Sequence, residues 1–299
     1  MSNLASLVKR DIKIFYRTKG NIIFSSLAVI ILLTLHFVIF RNLYSDNWEQ
    51  IFEMFPGFTI EYSSILWLVD NLMFSAILPI GAVSISITAI GLMVADREKN
   101  VLNDFLVSPI KRNDLLASYL ISSILVGFTL LLGFIIFFAI YFQVVYSVSF
   151  TLPQLGYILL AVIGSLVFAN IFILLIMTFI KKQQSLGAFG TILGTLNGFI
   201  SGAYIPVGMF GDTVGTILSA LPFLQLTVLT RRAFLYNMET VTPITREMIS
   251  GEIAKDFGLE LWFGNTMMPI WGVAALTAGI TLLLLLCLTI RFAKMKKSD

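Results

Sequence analysis

The chain offers little with which to make or break a covalent bond. It has one histidine, His36, and one cysteine, Cys287, so neither a multi-histidine metal centre nor a disulfide framework can be assembled. No glycine is followed by lysine, which excludes the phosphate loop G-x-x-x-x-G-K-[S/T]. HExxH and GxSxG are also absent, so the sequence does not read as an enzyme. What remains is a chemistry of contact. The stretch DREKNVLNDFLVSPIKRND, Asp96–Asp114, places eight charged residues among nineteen between long charge-free apolar segments. Within it Val101, Leu102, Phe105 and Leu106 recur at i, i+1, i+4 and i+5, one face of a helix. Ser108-Pro109 ends that helix, because the residue before proline avoids the α region, and Asn113 or Asp114 can cap the next. An apolar face on a charged segment suits a partner's groove; the same spacing also suits a helix lying on lipid headgroups.

The segments that must position this island are apolar. Of 299 residues, 58% are hydrophobic and 12% charged, against about 25% charged in a soluble domain. The surrounding solvent is therefore a bilayer, whose core takes about 20 apolar helical residues to cross. Six such stretches occur, at 20–40, 70–95, 114–142, 155–180, 185–205 and 266–290. The expected fold is an all-α integral membrane protein, one transmembrane domain over residues 1–299 with six transmembrane helices. Fifteen of the 20 lysines and arginines fall on one side: Lys9, Arg10, Lys13, Arg17, Lys19, Arg97, Lys99, Lys111, Arg112, Lys181, Lys182, Arg291, Lys294, Lys296 and Lys297. That bias predicts that both termini are cytoplasmic.

Residues 1–18 carry Leu4, Leu7, Val8, Ile12 and Phe15 at helical spacing, with basic residues elsewhere on the turn. They predict an amphipathic interface helix, or a basic flank that only sets topology. On the other side, 206–264 is apolar but cut by Pro206, Gly208, Gly211, Gly215 and Pro222. Its pieces are too short to cross, and predict an extracellular re-entrant hairpin. A small external helix is expected to begin at Thr242-Pro243. No Asp, Glu, Lys or Arg lies well inside a span. Asp70 precedes Ala95 by 25 residues, roughly 37 Å of helix. It is therefore expected as a solvated carboxylate at the outer interface, with His36 packed or interfacial near the end of the first span. Ion-coupled carriers keep ionisable groups at membrane depth, so the driving energy should enter from elsewhere.

Gly190, Gly194, Gly198 and Gly202 stand four apart in the fifth span. Such a face lets helices approach closely, either across a permease dimer or inside one protomer. Phe37, Thr195 and Asn197 are the candidate lining of a path through spans one, two and five. The scarcity of polar groups in the spans favours an amphipathic or hydrophobic substrate over a sugar polymer.

The island resembles the corresponding loop of ABC-2 type permeases. Arg97, Glu98, Lys99, Val101, Leu102, Phe105, Leu106, Val107, Ser108, Pro109 and Arg112 fit that pattern, and Asn100 stands where glycine is common. A second match is GFISGAYIPVGMFGDTVGTILSALPFLQLTVLTRRAFL, similar to the family's S-G-x-x-x-P turn and outward re-entrant helices. Ser201, Gly202, Pro206, Pro222 and Arg231 or Arg232 carry it. The resemblance covers essentially the whole chain. It implies the membrane subunit of a bacterial ABC exporter in the cell membrane. The island (96–113) would be the cytoplasmic coupling helix, docking through Arg97, Glu98, Val101, Leu102, Phe105, Leu106 and Pro109. Two copies of an ABC ATP-binding subunit would hold the ATP and Mg, and a second permease, most simply a homodimer, would complete the path. Drugs, antimicrobial peptides and lipids are the substrate classes in view. The competing readings are a non-transporting immunity or sensor component and a glycan exporter permease; membrane lipid is the remaining expected partner, and nucleic acid is not one.

Overall fold

The computed structural model describes residues 3–53, 60–101, 105, 110, 112–264 and 266–294. It opens with α1, Asn3–Arg17, whose buried ridge is Leu7, Asp11 and Phe15, spaced four apart on one face. Next comes a continuous rod, Lys19–Glu53. It consists of α2 (Lys19–Leu35), a π-helical turn (His36–Phe40) and α3 (Arg41–Glu53). The centre of the bundle is α4, Tyr62–Glu98, 37 residues long, or about 56 Å. Of its most apolar window 72% is buried, against 22% for the last helix. Around it stand α5 (Arg112–Tyr146), α6 (Leu152–Met177) and α7 (Gln183–Ile200).

Among the described residues five helices are long and apolar enough to cross a membrane, Lys19–Glu53, Tyr62–Glu98, Asn113–Tyr146, Leu152–Met177 and Ile270–Phe292, or six if the bent pair Val207–Ser219 and Pro222–Val241 is one span. The expected fifth span, 185–205, is α7. It has 18 residues, about 27 Å, and Gln183, Gln184 and Asn197 make it less apolar than the others. It ends at Ser201 because Gly202 takes φ +66, a left-handed turn that glycine adopts without strain.

Beyond it, a 3₁₀ turn (Val207–Phe210) leads into α8 (Gly211–Ser219) and α9 (Pro222–Phe234). The chain bends by 101° at the break between them, the shape of a broken span or a re-entrant hairpin. Pro222 occupies the first turn of α9, where its missing N–H costs nothing. The external helix does not start at Thr242-Pro243. Instead α10 (Met238–Val241) ends there, Thr242 Oγ1 accepts from Ile244 N at 3.3 Å, and α11 begins at Glu252 (Glu252–Asp256). The side-chain turn competes with a helix start. A short antiparallel hairpin, β1 (Leu261–Phe263) and β2 (Thr266–Met268), precedes α12 (Ile270–Lys294).

Asp70 corrects a second expectation. It is not a solvated carboxylate but wholly buried, because neighbouring helices supply what water would have supplied. Its Oδ1 faces His36 Nε2 at 2.7 Å and accepts from Arg41 Nε at 3.2 Å. Its Oδ2 accepts from Tyr141 at 2.7 Å and Tyr146 at 2.5 Å. The rings of Phe74, Tyr141 and Phe142 close around the cluster.

Candidate coupling site

The last turn of α4 carries Asp96, Arg97 and Glu98. Consecutive helical residues point about 100° apart, so the three reach three different neighbours. Asp96 was expected as the first residue of a charged cytoplasmic coupling helix; it is buried, in the last turn of α4. Its carboxylate is gripped by Arg10 of α1 through two bonds of 2.8 Å, the bidentate geometry that makes such pairs strong. Tyr119 of α5 donates to the same carboxylate at 2.7 Å.

Arg97 turns the other way. Its Nη1 donates to Ile180 O at 2.6 Å and Met177 O at 3.2 Å. These carbonyls end α6, where a cation offsets the helix dipole. Glu98 accepts from Gln183 N at 3.1 Å, placing a carboxylate at the first residue of α7, where the dipole favours an anion. Gln183 Nε2 donates back to Gly91 O of α4 at 3.1 Å. The end of α4 is thereby tied to α1, α5, α6 and α7 at once.

The helix stops at Lys99 because Asn100 takes φ +60. Asn is the non-glycine residue that best tolerates this region, which explains its standing where the family prefers glycine. Val101 and Phe105 are helical, and the Arg10 guanidinium lies 5.0 Å from the Phe105 ring centroid, within cation–π reach. Leu102, Leu106 and Pro109 lie outside the described residues. Asp11, beside Arg10 at 2.9 Å, is pushed up to about 6 by burial, an effect that Arg10 only partly offsets. Its Oδ2 has no hydrogen-bond partner among the described residues.

The other candidates are dispersed. Gly190, Gly198 and Gly202 fit against Ile87, Tyr204 and Val207 of their own chain, while Gly194 faces open space. Ser201, Gly202 and Pro206 form the turn after α7. That turn is held by Arg231, which donates to Gly202 O at 2.8 Å and Phe257 O at 2.6 Å. Of the two arginines left open by sequence, Arg231 is thus the buried clamp, and Arg232 pairs with Glu260 at 2.8 Å. Phe37 packs on His36, Phe74 and Tyr141, Thr195 is exposed on α7, and Asn197 is buried.

Sequence reasoning missed Arg10, Tyr119 and Gln183. Arg10 reads as one of many topology-setting charges, and nothing local connects it to a residue 86 positions away. The one available signal was Asp11, a carboxylate on the apolar ridge of α1.

A family model described as ABC-2 family transporter protein matches residues 59–291. No curated protein and no solved structure matches the chain.

Proposed function

We propose, because the chain belongs to the ABC-2 family of transporter proteins, that it is the permease of an exporter driven by ATP hydrolysis in a separate subunit. Membership makes it a multi-pass membrane component of an ABC transporter that works with an ABC ATP-binding subunit. The finer reading is that residues 96–113 are a coupling helix that docks on that subunit, two copies of which hold ATP and Mg. Two permease copies form the path in the bacterial cell membrane, with both termini cytoplasmic. The substrate moved outward is amphipathic or hydrophobic: a drug, an antimicrobial peptide or a lipid-like molecule.

The observation that supports this most is the three-way junction at the end of α4. A displacement of this segment reaches four helices, since Asp96, Arg97 and Glu98 fasten its root to them. The displacement is carried along α4 to Asp70, about 39 Å of helix from Asp96. Arg97 and Glu98 pass it to the turn between α6 and α7, and α7 leads directly into the re-entrant region.

The test is co-purification of the tagged full chain from its host in mild detergent. A soluble ATPase should accompany the wild type in stoichiometric amount and be lost from a Glu98→Ala, Phe105→Ala variant. Arg97→Gln should keep the ATPase but lose substrate flux, because it loosens the α6–α7 turn without touching Phe105. If no ATPase is recovered even after crosslinking, the coupling reading fails. If ATPase is recovered but no ATP-dependent flux exists to lose, the chain is a non-transporting component.

A further inference from the structure

The outward flank of α1 forms an open groove against α5, with a volume of roughly 760 Å³. Its floor is apolar: Val8 and Ile12 from α1, Tyr16 at one end, and Ile121 from α5. Its rim is basic. Lys9, Lys13 and Arg17 stand four residues apart along one ridge, all exposed, and none forms an ion pair among the described residues. From Ile121 an exposed apolar ridge continues along α5 through Leu125 towards Ile136 and Ile140. A row of cations above an apolar trough that runs along a membrane helix matches one kind of molecule, an anionic head on acyl chains.

We propose that this groove binds an anionic phospholipid, with its phosphate between Lys9, Lys13 and Arg17 and an acyl chain along Ile121 and Leu125. A free phosphate ion would leave the apolar floor wet. A second copy of the chain meeting this face across a two-fold axis would set three cations against three cations, with no carboxylate between them. The lipid seals the exposed side of α1, whose opposite ridge presents Asp11 and whose Arg10 holds Asp96 and overlies Phe105. Lipid charge therefore sets how firmly α1 grips the end of α4 at Asp96. The binding claim stands independently of the transport reading.

The experiment needs neither the ATPase nor a substrate. The full-length chain, delipidated in uncharged detergent, is titrated with phosphatidylglycerol or phosphatidylcholine, and retained lipid is counted by native mass spectrometry. Phosphatidylglycerol should be retained preferentially. A Lys9→Gln, Lys13→Gln, Arg17→Gln variant should lose about a hundredfold of that preference, taking each surface cation as worth roughly fivefold. Lys9→Arg with Lys13→Arg should restore it, which separates loss of charge from loss of fold. Lys181→Gln with Lys182→Gln removes two exposed cations at the same end of the bundle and should leave the preference unchanged. Glycerol 3-phosphate should not compete, since it lacks acyl chains. Equal retention of the two lipids overturns the proposal. So does an unchanged preference in the triple variant, or an equal loss on replacing Lys181 and Lys182, which would mean diffuse surface charge rather than a site. Competition by glycerol 3-phosphate would overturn the lipid assignment in favour of a simple phosphate site.

Discussion

The two ends of α4 each hold a buried aspartate, and they solve the same problem in opposite ways. Asp70 and Asp96 are 26 residues apart, about 39 Å of helix, close to the full thickness of a bilayer with its headgroups. The Asp70 carboxylate is saturated: four donors from three segments converge on two oxygens, neither it nor His36 is exposed, and the one open position of the cluster among the described residues is His36 Nδ1. At the other end two carboxylates, Asp11 and Asp96, share one arginine, whose side chain is 27% exposed. One oxygen there has no partner among the described residues. A buried carboxylate with every donor in place resists change; an under-donated one beside water can exchange partners at small cost. We read the difference as that between an anchor and a joint, the joint being the end next to the proposed coupling segment.

Substitution at the anchor should give the largest effect. Asp70→Asn leaves Arg41 without its carboxylate and His36 buried without its ionised partner. Breaking a buried pair from one side costs about 3–5 kcal/mol, so a large fall in the thermal midpoint of the detergent-solubilised chain is expected. The matching change at the joint, Asp96→Asn, should cost less, about 2 kcal/mol, since Arg10 can turn into water once released. It should nevertheless remove most ATP-dependent flux. Equal losses of stability at the two positions would break the contrast between anchor and joint, and normal flux in Asp96→Asn would remove the joint's proposed role.

The contrast was only half legible in the sequence. Hydropathy located the helices because lipid exposure is a property of one segment at a time. The charged island stood out for the same reason, and so did the broken region after Ser201, where Pro206 and Pro222 mark the turns. Asp70 was placed at interface depth by counting residues, and interface depth was equated with water. In this bundle the helices outrun the hydrocarbon, so the interface level beside Asp70 is filled by Arg41, Tyr141 and Tyr146. Span two was ended at residue 95 because charge ends a hydropathy plot, whereas the helix continues through Glu98 and Asp96 within it meets Arg10. Such pairings depend on which helix lies beside which, and no periodicity within a segment encodes that.

A smaller effect should separate the ends by pH. The Asp11 carboxyl is pushed up to about 6 by burial, although Arg10 beside it favours the anion, while in the unfolded chain it titrates near its ordinary value of about 4. The folded protein therefore takes up a proton first as pH falls. Stability should rise between about pH 6 and pH 4 by up to roughly 2 kcal/mol from this group, and be flat in it above about pH 7. Asp11→Asn should abolish that rise and be more stable than the wild type at pH 7.5. Thermal melts of both proteins across this range measure the difference. If the variant keeps the same rise, the gain belongs to another group and the joint is not short of donors.

The smallest expected effect tests the hinge on which the joint turns. Asn100 holds φ +60 immediately after α4, a conformation that costs an asparagine something and a glycine nothing. Asn100→Gly should therefore leave the contacts of Asp96, Arg97 and Glu98 in place and change stability by less than about 1 kcal/mol, in the stabilising direction if relief of strain exceeds the entropy glycine adds to the unfolded chain. Asn100→Val, with a branched side chain at the same φ, should be clearly destabilising. Because Asp70 is 30 residues away along the same helix, neither change should alter the penalty of Asp70→Asn, and the double variants should be additive. Additivity would show that the two ends are energetically separate at rest and are linked only when α4 moves as a lever. Coupling of more than about 0.5 kcal/mol between position 100 and position 70 would mean instead that strain at the hinge already reaches the anchor.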